Sequence, residues 1–197
     1  MRYSSGHKAE TRERVLKEAA KEIRAKGPDN VAVSGIMARA GLTHGGFYAH
    51  FPSKDALVKE AIGTMFADAR RRSAAIDAQG DPRAVLRAYV DFYLSPAHRD
   101  GRDRGCPLPT LSGDFARSKP ETRERFGTGV TGIASRLAAP LGQLGFASPD
   151  AEAHALLAQL VGSVALARAV GDLALSDALL ADTHASIIAR YGLETVQ

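Results

Sequence analysis

The sequence has a single cysteine, Cys106, and no tryptophan among its 197 residues. One cysteine excludes a disulfide bond within the chain, and a free thiol is typical of proteins from a reducing compartment. Hydrophobic residues nevertheless make up 45% of the chain, and no segment is low in complexity. The composition therefore predicts a globular protein that is held together by a hydrophobic core.

No apolar run reaches the length of about 18 residues that a membrane-spanning helix needs. The most apolar stretch, residues 155–170, is interrupted by Gln159, Ser163 and Arg168. The first residues of the chain also lack the apolar segment of a secretory leader. We therefore expect a cytoplasmic protein that does not bind a membrane.

Patterns for metal binding and catalysis are missing as well. No two of the six histidines have metal-ligand spacing within one predicted helix. The sequence has no phosphate-binding glycine loop, no nucleophile elbow and no paired carboxylates. It thus predicts no metal site, no cofactor and no catalytic residue, and an enzyme would need a site of unrecognised form.

Positive charge is concentrated in the first third of the chain. Residues 1–72 contain 14 Lys and Arg against 8 Asp and Glu, whereas residues 73–197 contain 12 against 14. A basic surface at one end of a protein indicates a polyanionic partner there, although a solvated helix face could have the same composition.

The most specific local pattern lies between residues 34 and 57. Residues 34–40 are compatible with a short helix, and Gly41 begins a tight turn that a residue without Cβ adopts at little cost. A second helix should follow, with Phe47 and Phe51 on its inner face and Pro52 at its end. Ser53 is then well placed to cap a third helix, which runs to about Arg72.

These segments carry a set of residues that resembles the DNA-binding signature of TetR-family repressors: Ala40, Gly41, Leu42, Thr43, Gly45, Phe47, Tyr48, His50, Phe51, Ser53, Lys54 and Leu57. The resemblance covers roughly residues 8–65. It implies an all-α protein with an N-terminal three-helix, helix-turn-helix DNA-binding domain at residues 8–68. It also implies a C-terminal helical domain at residues 69–197 that binds a ligand and forms a dimer.

The chain departs from the family pattern at two positions in the first helix of the motif. Ala32 stands where a capping Ser or Thr is common, which weakens the helix start and leaves Ser34 as an alternative cap. Met37 stands where alanine is common, which predicts a different packing distance between the motif helices.

The resemblance places the second motif helix in the major groove of double-stranded DNA. We expect His44 and Gly45 to lie at base edges. The other expected DNA-binding residues are Ser34, Thr43, Gly46, Tyr48, His50, Lys54, Lys8 and Arg12. Two alternatives stay open, because His50 could brace the motif internally and Lys8 and Arg12 could belong to a frayed terminus.

Further helix signals continue along the chain. Helix starts are predicted at Asp81-Pro82, at Pro120, at Ser148-Pro149 and at Ser176-Asp177, and residues 98–105 are predicted to form a charged surface loop. The helices over residues 151–170 and 177–191 have apolar residues on more than one face. A second copy of the chain would cover them, which together with the resemblance predicts a homodimer that reads a palindromic operator.

The resemblance also implies a pocket for a mostly apolar or aromatic effector. Its expected lining is Phe66, Tyr89, Phe92, Tyr93, Cys106, Phe115 and Phe126, although each of these side chains could instead be core. Cys106 precedes a predicted helix start and has Arg102 and Arg104 nearby in sequence, which would lower the pKa of its thiol. The alternative is a buried cysteine that packs as a small hydrophobe.

The sequence thus predicts a ligand-responsive transcriptional repressor that binds its operator as a dimer and is released by a small-molecule effector. One alternative is a sensor of electrophiles or oxidants that acts through Cys106. Others are a DNA-binding module without an effector, and a helical ligand carrier or enzyme whose basic end is incidental.

Overall fold

The computed structural model describes residues 5–194, which form nine α-helices, one short 3₁₀ helix and no strand. The α-helices are α1 (Ser5–Lys26), α2 (Val33–Arg39), α3 (Lys54–Asp77), α4 (Pro82–Tyr93), α5 (Pro96–Asp100), α6 (Leu108–Ala116), α7 (Pro120–Gln143), α8 (Pro149–Ala169) and α9 (Leu173–Tyr191). The 3₁₀ helix spans His44–Ala49. The predicted all-α class is confirmed, and within this range no helix is both long and apolar enough to cross a membrane.

Side-chain caps fix the starts of two predicted helices. The Ser53 hydroxyl accepts a hydrogen bond of 3.1 Å from the Ala56 N–H at the start of α3. At the start of α4 the Asp81 carboxylate accepts one of 2.9 Å from the Ala84 N–H, and Pro82 is the first helical residue. Each cap satisfies a backbone donor that has no partner within the helix, which explains why these starts could be read from sequence.

Two other starts differ from the prediction. The Asp172 carboxylate accepts from the Ala174 N–H at 2.8 Å, so α9 begins at Leu173. Ser176 lies buried inside that helix, where its hydroxyl donates to the Ala167 carbonyl at 2.7 Å. In α2 the N-cap residue Ala32 makes no side-chain bond, and Ser34 does not replace it as a cap.

The predicted surface loop at residues 98–105 is wrong in its first part. The short helix α5 carries His98 and Arg99, which are both buried. The Arg99 guanidinium donates to the Ser176 hydroxyl at 3.0 Å and pairs with Asp177, so α5 is fixed to α9. A charged residue can be buried when such partners satisfy it, and local sequence does not show them.

Two hydrophobic cores share the helix α3. The first contains apolar side chains of α1, α2, the 3₁₀ helix and the first half of α3, together with Leu111 and Phe115 of α6. The second is formed mainly by α4, α7, α8 and α9. Because α3 is 24 residues long, it packs in the first core near its start and borders the second near its end.

Arg24 connects elements of both cores. It is 1% exposed and its guanidinium donates to the carbonyls of Asp103 (3.0 Å) and Met65 (3.2 Å) and to the Asp68 carboxylate (3.1 Å). One side chain of α1 therefore holds α3 and the segment between α5 and α6 in place.

Candidate nucleic-acid interface and internal cavity

The turn after α2 depends on Gly41, as predicted. Its φ angle of 73° is in the left-handed region, and the Leu42 N–H that follows donates to the Met37 carbonyl at 2.9 Å. The next segment, predicted as a short second helix, is a six-residue 3₁₀ helix. Two adjacent glycines near its start and Pro52 shortly after its end disfavour a longer α-helix, and short 3₁₀ helices are common in such places.

The inner side of the 3₁₀ helix and of the residues just after it is tightly packed. Phe47 and Phe51 are 1% and 0% exposed, and their stacked rings lie 5.8 Å apart between centroids. Met37 is fully buried, and a methyl group added at Gly46 would lie 3.8 Å from its Cε. The larger residue at position 37 thus fills the space between the two motif elements.

The outer face presents Thr43, His44, Gly45 and Tyr48 to solvent. Tyr48 is 71% exposed, which is unusual for an aromatic side chain in a well-packed unit. Gly45 does not have a positive φ, and a methyl group added there would meet no atom within 4 Å. Neither the backbone conformation nor the packing requires glycine at this position. The absence of a side chain leaves open space on the surface, into which a bound molecule can approach the backbone.

Cations flank this face. Lys54 is the first residue of α3, and its Nζ donates to the Asp29 carbonyl at 3.1 Å. Lys8 on α1 and Ser34 in the first turn of α2 are exposed. The start of α3 also presents backbone N–H groups near Lys54, an arrangement that suits a phosphate.

Arg12 and His50 are tied into the motif itself. The Arg12 guanidinium pairs with Glu60 of α3 and lies 4.7 Å from the centroid of the Phe51 ring. His50 is half-buried, and its Nδ1 is buried without a hydrogen-bond partner in the described part of the chain. Burial, and then the charges of Lys8 and Arg12, lower the pKa of His50. These contacts favour a bracing role for both residues.

A cavity of about 580 Å³ lies between α3, α4 and α7. Five of the residues predicted for the effector pocket line it, namely Phe66, Tyr89, Phe92, Tyr93 and Cys106. The structure places the other two, Phe115 and Phe126, outside its wall. Phe115 is buried in the first core, and its ring lies 4.9 Å from that of Phe126, which in turn lies 5.6 Å from the ring of Phe66.

Sequence reasoning missed the polar part of this wall, which comprises Arg70, Arg72, Ser73, Arg125, Thr128 and Arg136. The sequence holds a signal for it. Arg125, Gly129, Gly132 and Arg136 recur at spacings of three and four, which places them on one face of α7. A methyl group added at Gly129 would lie 2.1 Å from the Phe66 ring, so α7 needs glycine there to approach α3.

Cys106 and His98 form a buried pair beside the cavity. The Cys106 N–H donates to His98 Nε2 at 3.0 Å, so the ring is neutral and its Nδ1–H donates to the Tyr93 carbonyl at 2.7 Å. Burial lowers the pKa of His98 to about 4. The neutral imidazole therefore acts as a fixed bridge between α4 and the start of α6.

The predicted activation of the Cys106 thiol is wrong. The side chain is 7% exposed, and burial raises its pKa, with the Tyr93 hydroxyl and the charges of Arg168 and Arg24 acting in the opposite direction. The two nearby arginines contact other groups, since Arg102 donates to the Arg168 carbonyl at 3.0 Å and Arg104 pairs with Asp103.

No cluster of three His, Cys, Asp or Glu side chains suited to a metal ion occurs within residues 5–194.

Comparison with known proteins identifies the first part of the chain. The sequence profile of bacterial regulatory proteins of the tetR family matches residues 15–61. A protein of Bacillus subtilis (strain 168) described as the uncharacterized HTH-type transcriptional regulator YdgC is 39% identical over 62 residues. That match covers 32% of each of the two chains, so it spans about a third of the length of this relative.

Solved structures extend the likeness to nearly the whole chain. A TetR transcriptional regulator from Chloroflexus aurantiacus J-10-FL is 26% identical with a TM-score of 0.80, and the match covers 94% of this chain and 96% of the other. The reduced form of NemR from E. coli shares the fold at 22% identity with a TM-score of 0.77, over 91% and 97% of the two chains. The first part of the chain is therefore that of a TetR-family transcriptional regulator, as its sequence predicted, and the whole chain shares the fold of solved regulators of that family.

Proposed function

We propose that the protein is a transcriptional repressor that binds a palindromic operator as a homodimer and releases it when a small molecule occupies the cavity. Residues 8–68 would be the DNA-binding domain and residues 69–197 the regulatory domain, of which 195–197 lie outside the described residues. Its place is then the cytoplasm, where DNA and effector are both accessible. The observation that carries the proposal is the exposed outer face of the 3₁₀ helix.

That face has the features of a surface that meets DNA closely. His44 and Gly45 lie together in its exposed first turn, and the open space at Gly45 lets a backbone approach bases or sugars. Tyr48 adds a hydroxyl for a phosphate. The cations Lys8 and Lys54 flank this face, and no carboxylate within the described residues pairs with either of them.

The exposed faces of α8 and α9 support the homodimer. Each has a row of small residues at helical spacing: Ala151, Ala155, Ala158, Gly162, Ala165 and Ala169 on α8, and Ala174, Ala178, Ala181, Ala185 and Ala189 on α9. Leu166, Leu173 and Leu175, near the junction of the two helices, are 56%, 64% and 49% exposed. Small residues allow close helix packing and exposed leucines gain from burial, so a second copy of this face is a good partner.

The helix α3 provides the link between effector and DNA. Its first residue, Lys54, flanks the exposed face, and Phe66 and Arg70 further along it line the cavity. A ligand that prefers one position of α3 will shift the population of that position at both ends of the helix. In the dimer, this movement changes the distance between the two recognition segments.

The DNA-binding part is tested by two substitutions on the same face. We expect Lys54→Ala to weaken binding to all DNA sequences alike and to reduce the slope of log affinity against log salt by about 1, because one phosphate contact is lost. His44→Ala should instead change the order of preference among operator variants. Fluorescence anisotropy with a palindromic promoter fragment, measured over a range of salt concentrations, gives both quantities.

Lys21→Ala is the matched control, because Lys21 is an exposed lysine further along α1 that pairs with Glu18. It should leave both the affinity and the salt slope unchanged. A Lys54→Ala protein that binds with the wild-type affinity and slope would show that Lys54 has no phosphate contact.

A second candidate is favoured by one observation, the position of Cys106 in the cavity wall. An electrophile small and apolar enough to enter the cavity would reach the sulfur there, although burial keeps the thiol protonated. With one cysteine in the chain, the switch would be a covalent adduct, a sulfenic acid or a bond between subunits.

We expect an apolar quinone to modify Cys106 of the folded protein faster than a bulky charged thiol reagent does, because only the quinone fits the cavity. Mass spectrometry measures the adduct, and anisotropy measures the release of DNA. Cys106→Ser should abolish both responses to the quinone. If release persists in this variant, or if the folded thiol does not react, Cys106 is a packing residue.

A further inference from the structure

The charged groups in the wall of the cavity are all positive. Four arginines, Arg70, Arg72, Arg125 and Arg136, line it, and no aspartate or glutamate does. Arg136 donates to the Asp77 carboxylate at 2.7 Å and to the Ser73 hydroxyl at 2.8 Å. For the other three, no carboxylate among residues 5–194 lies within ion-pair distance. The cavity thus carries uncompensated positive charge.

The arginines and the aromatic residues occupy different depths. Arg70, Arg72 and Arg125 are exposed and stand at the rim, whereas Tyr89 and Tyr93 are 8% and 1% exposed and form the inner wall. A ligand that fills this space therefore meets aromatic surface inside and guanidinium groups at the entrance. Guanidinium groups bind carboxylates with two parallel hydrogen bonds, which gives them a geometric preference for that group.

A second feature points to a polar group at the inner end of the ligand. The Tyr93 side chain lines the cavity, and no nitrogen or oxygen atom among the described residues accepts a hydrogen bond from its buried hydroxyl, which lies beside the Cys106 thiol, a weak acceptor. Leaving a buried hydroxyl without a strong acceptor reduces stability by about 1–3 kcal/mol, so such groups normally have a hydrogen-bond partner. An acceptor oxygen on the ligand would satisfy it.

We propose that the effector is an aromatic carboxylate, bound with its carboxylate at the arginine rim, its ring system between the aromatic side chains, and an oxygen at its far end accepting from the Tyr93 hydroxyl. The inference rests on the proposed function, since it names the ligand class of the effector cavity. A cationic ligand would bring like charges together at the rim, and a neutral ligand would leave the guanidinium groups without a partner.

Direct binding to the DNA-free, full-length protein tests this assignment. The probes are 6-hydroxy-2-naphthoate, its carboxamide and 2-naphthoate, which differ in charge or in the far oxygen but hardly in shape. By calorimetry we expect the hydroxy acid to bind about tenfold or more tightly than the carboxamide, with an affinity that falls as salt is added. The carboxamide should show no salt dependence.

Two substitutions test which side chains contact the carboxylate and the far oxygen of the ligand. Arg125→Gln should weaken the hydroxy acid several-fold and leave the carboxamide unchanged, while Arg123→Gln, an exposed arginine of α7 outside the wall, should change neither. Tyr93→Phe should remove the preference for the hydroxy acid over 2-naphthoate. It should cost little stability, because the hydroxyl loses at most a weak contact with the Cys106 thiol.

The proposal is overturned if the carboxamide binds as tightly as the acid, if Arg125→Gln leaves the acid unaffected, or if none of the three probes binds at millimolar concentration. Because no DNA is present, such a result concerns the ligand class alone. Failure of the repressor proposal would instead appear as an absence of salt-dependent binding to promoter DNA in the same protein preparation.

Discussion

Replacing Arg24 by methionine should destabilise the protein by about 3 kcal/mol, a large fraction of the stability of a domain. The substitution leaves two backbone carbonyls, of Met65 and Asp103, without their buried donor. It also removes a side chain that is 1% exposed and holds α1 against α3. Urea unfolding followed by circular dichroism, at one fixed protein concentration, measures the loss.

Arg71→Ala is the matched control for this experiment. Arg71 pairs with the same carboxylate, that of Asp68, but from the exposed side of α3. Exposed pairs contribute about 0–1 kcal/mol, so this variant should unfold close to the wild-type midpoint. Equal effects of the two substitutions would mean that the buried contacts of Arg24 contribute nothing beyond an ordinary surface ion pair.

Replacing Ala158 by arginine, in the middle of the exposed small-residue row of α8, should convert the proposed dimer to a monomer and reduce operator affinity about a hundredfold or more. The long charged side chain cannot be accommodated where two helices pack closely, and burying its charge without a partner is costly. Loss of the second recognition segment then removes the gain from binding two half-sites on one duplex. Sedimentation gives the oligomeric state and anisotropy the affinity.

The same substitution at Ala139, an exposed alanine of α7, provides the comparison. It adds an equal charge and volume to a face that is not proposed to form the interface, so the protein should remain a dimer that binds DNA. A monomeric Ala158→Arg protein with normal helicity and undiminished operator affinity would contradict the half-site geometry. A wild-type protein that is monomeric at micromolar concentration would remove the interface altogether.

The features that sequence predicted correctly depend on local chemistry. The turn needs a left-handed residue, and only Gly41 in that segment adopts such a φ at no cost. The Ser53 and Asp81 side chains each accept a hydrogen bond from the N–H three residues further along. The donor is therefore always close in sequence to the cap. The packed pair Phe47 and Phe51 follows from helical spacing in the same way.

The features that were missed depend on partners distant in sequence. Arg99 is buried because Ser176 and Asp177 meet it from α9, and nothing near Arg99 in the chain indicates them. The positive rim of the cavity forms where α3 crosses α7, so residues from two separate helices create it together. Arg70 and Arg72 alone have the composition of an ordinary solvated helix end.

The 3₁₀ helix could be predicted from sequence only in part. The second motif helix was predicted in the right place, but sequence did not show that it is a 3₁₀ helix, because the preference between an α-helix and a 3₁₀ helix over six residues depends on small energy differences. The glycines at 45 and 46 lower α-helical propensity, and the packing of Phe47 against the first core then fixes the geometry.

The core of the first three helices is completed by α6, whose Leu111 and Phe115 are 0% and 1% exposed within it. A chimeric regulator made by joining the first 72 residues to the regulatory part of a relative would therefore receive foreign side chains at these two positions. Unless these two side chains matched the original ones in shape, the hybrid would carry a cavity beneath the proposed DNA-binding surface. Engineers who exchange operator specificity between relatives should therefore transfer the inner face of α6 together with the N-terminal helices.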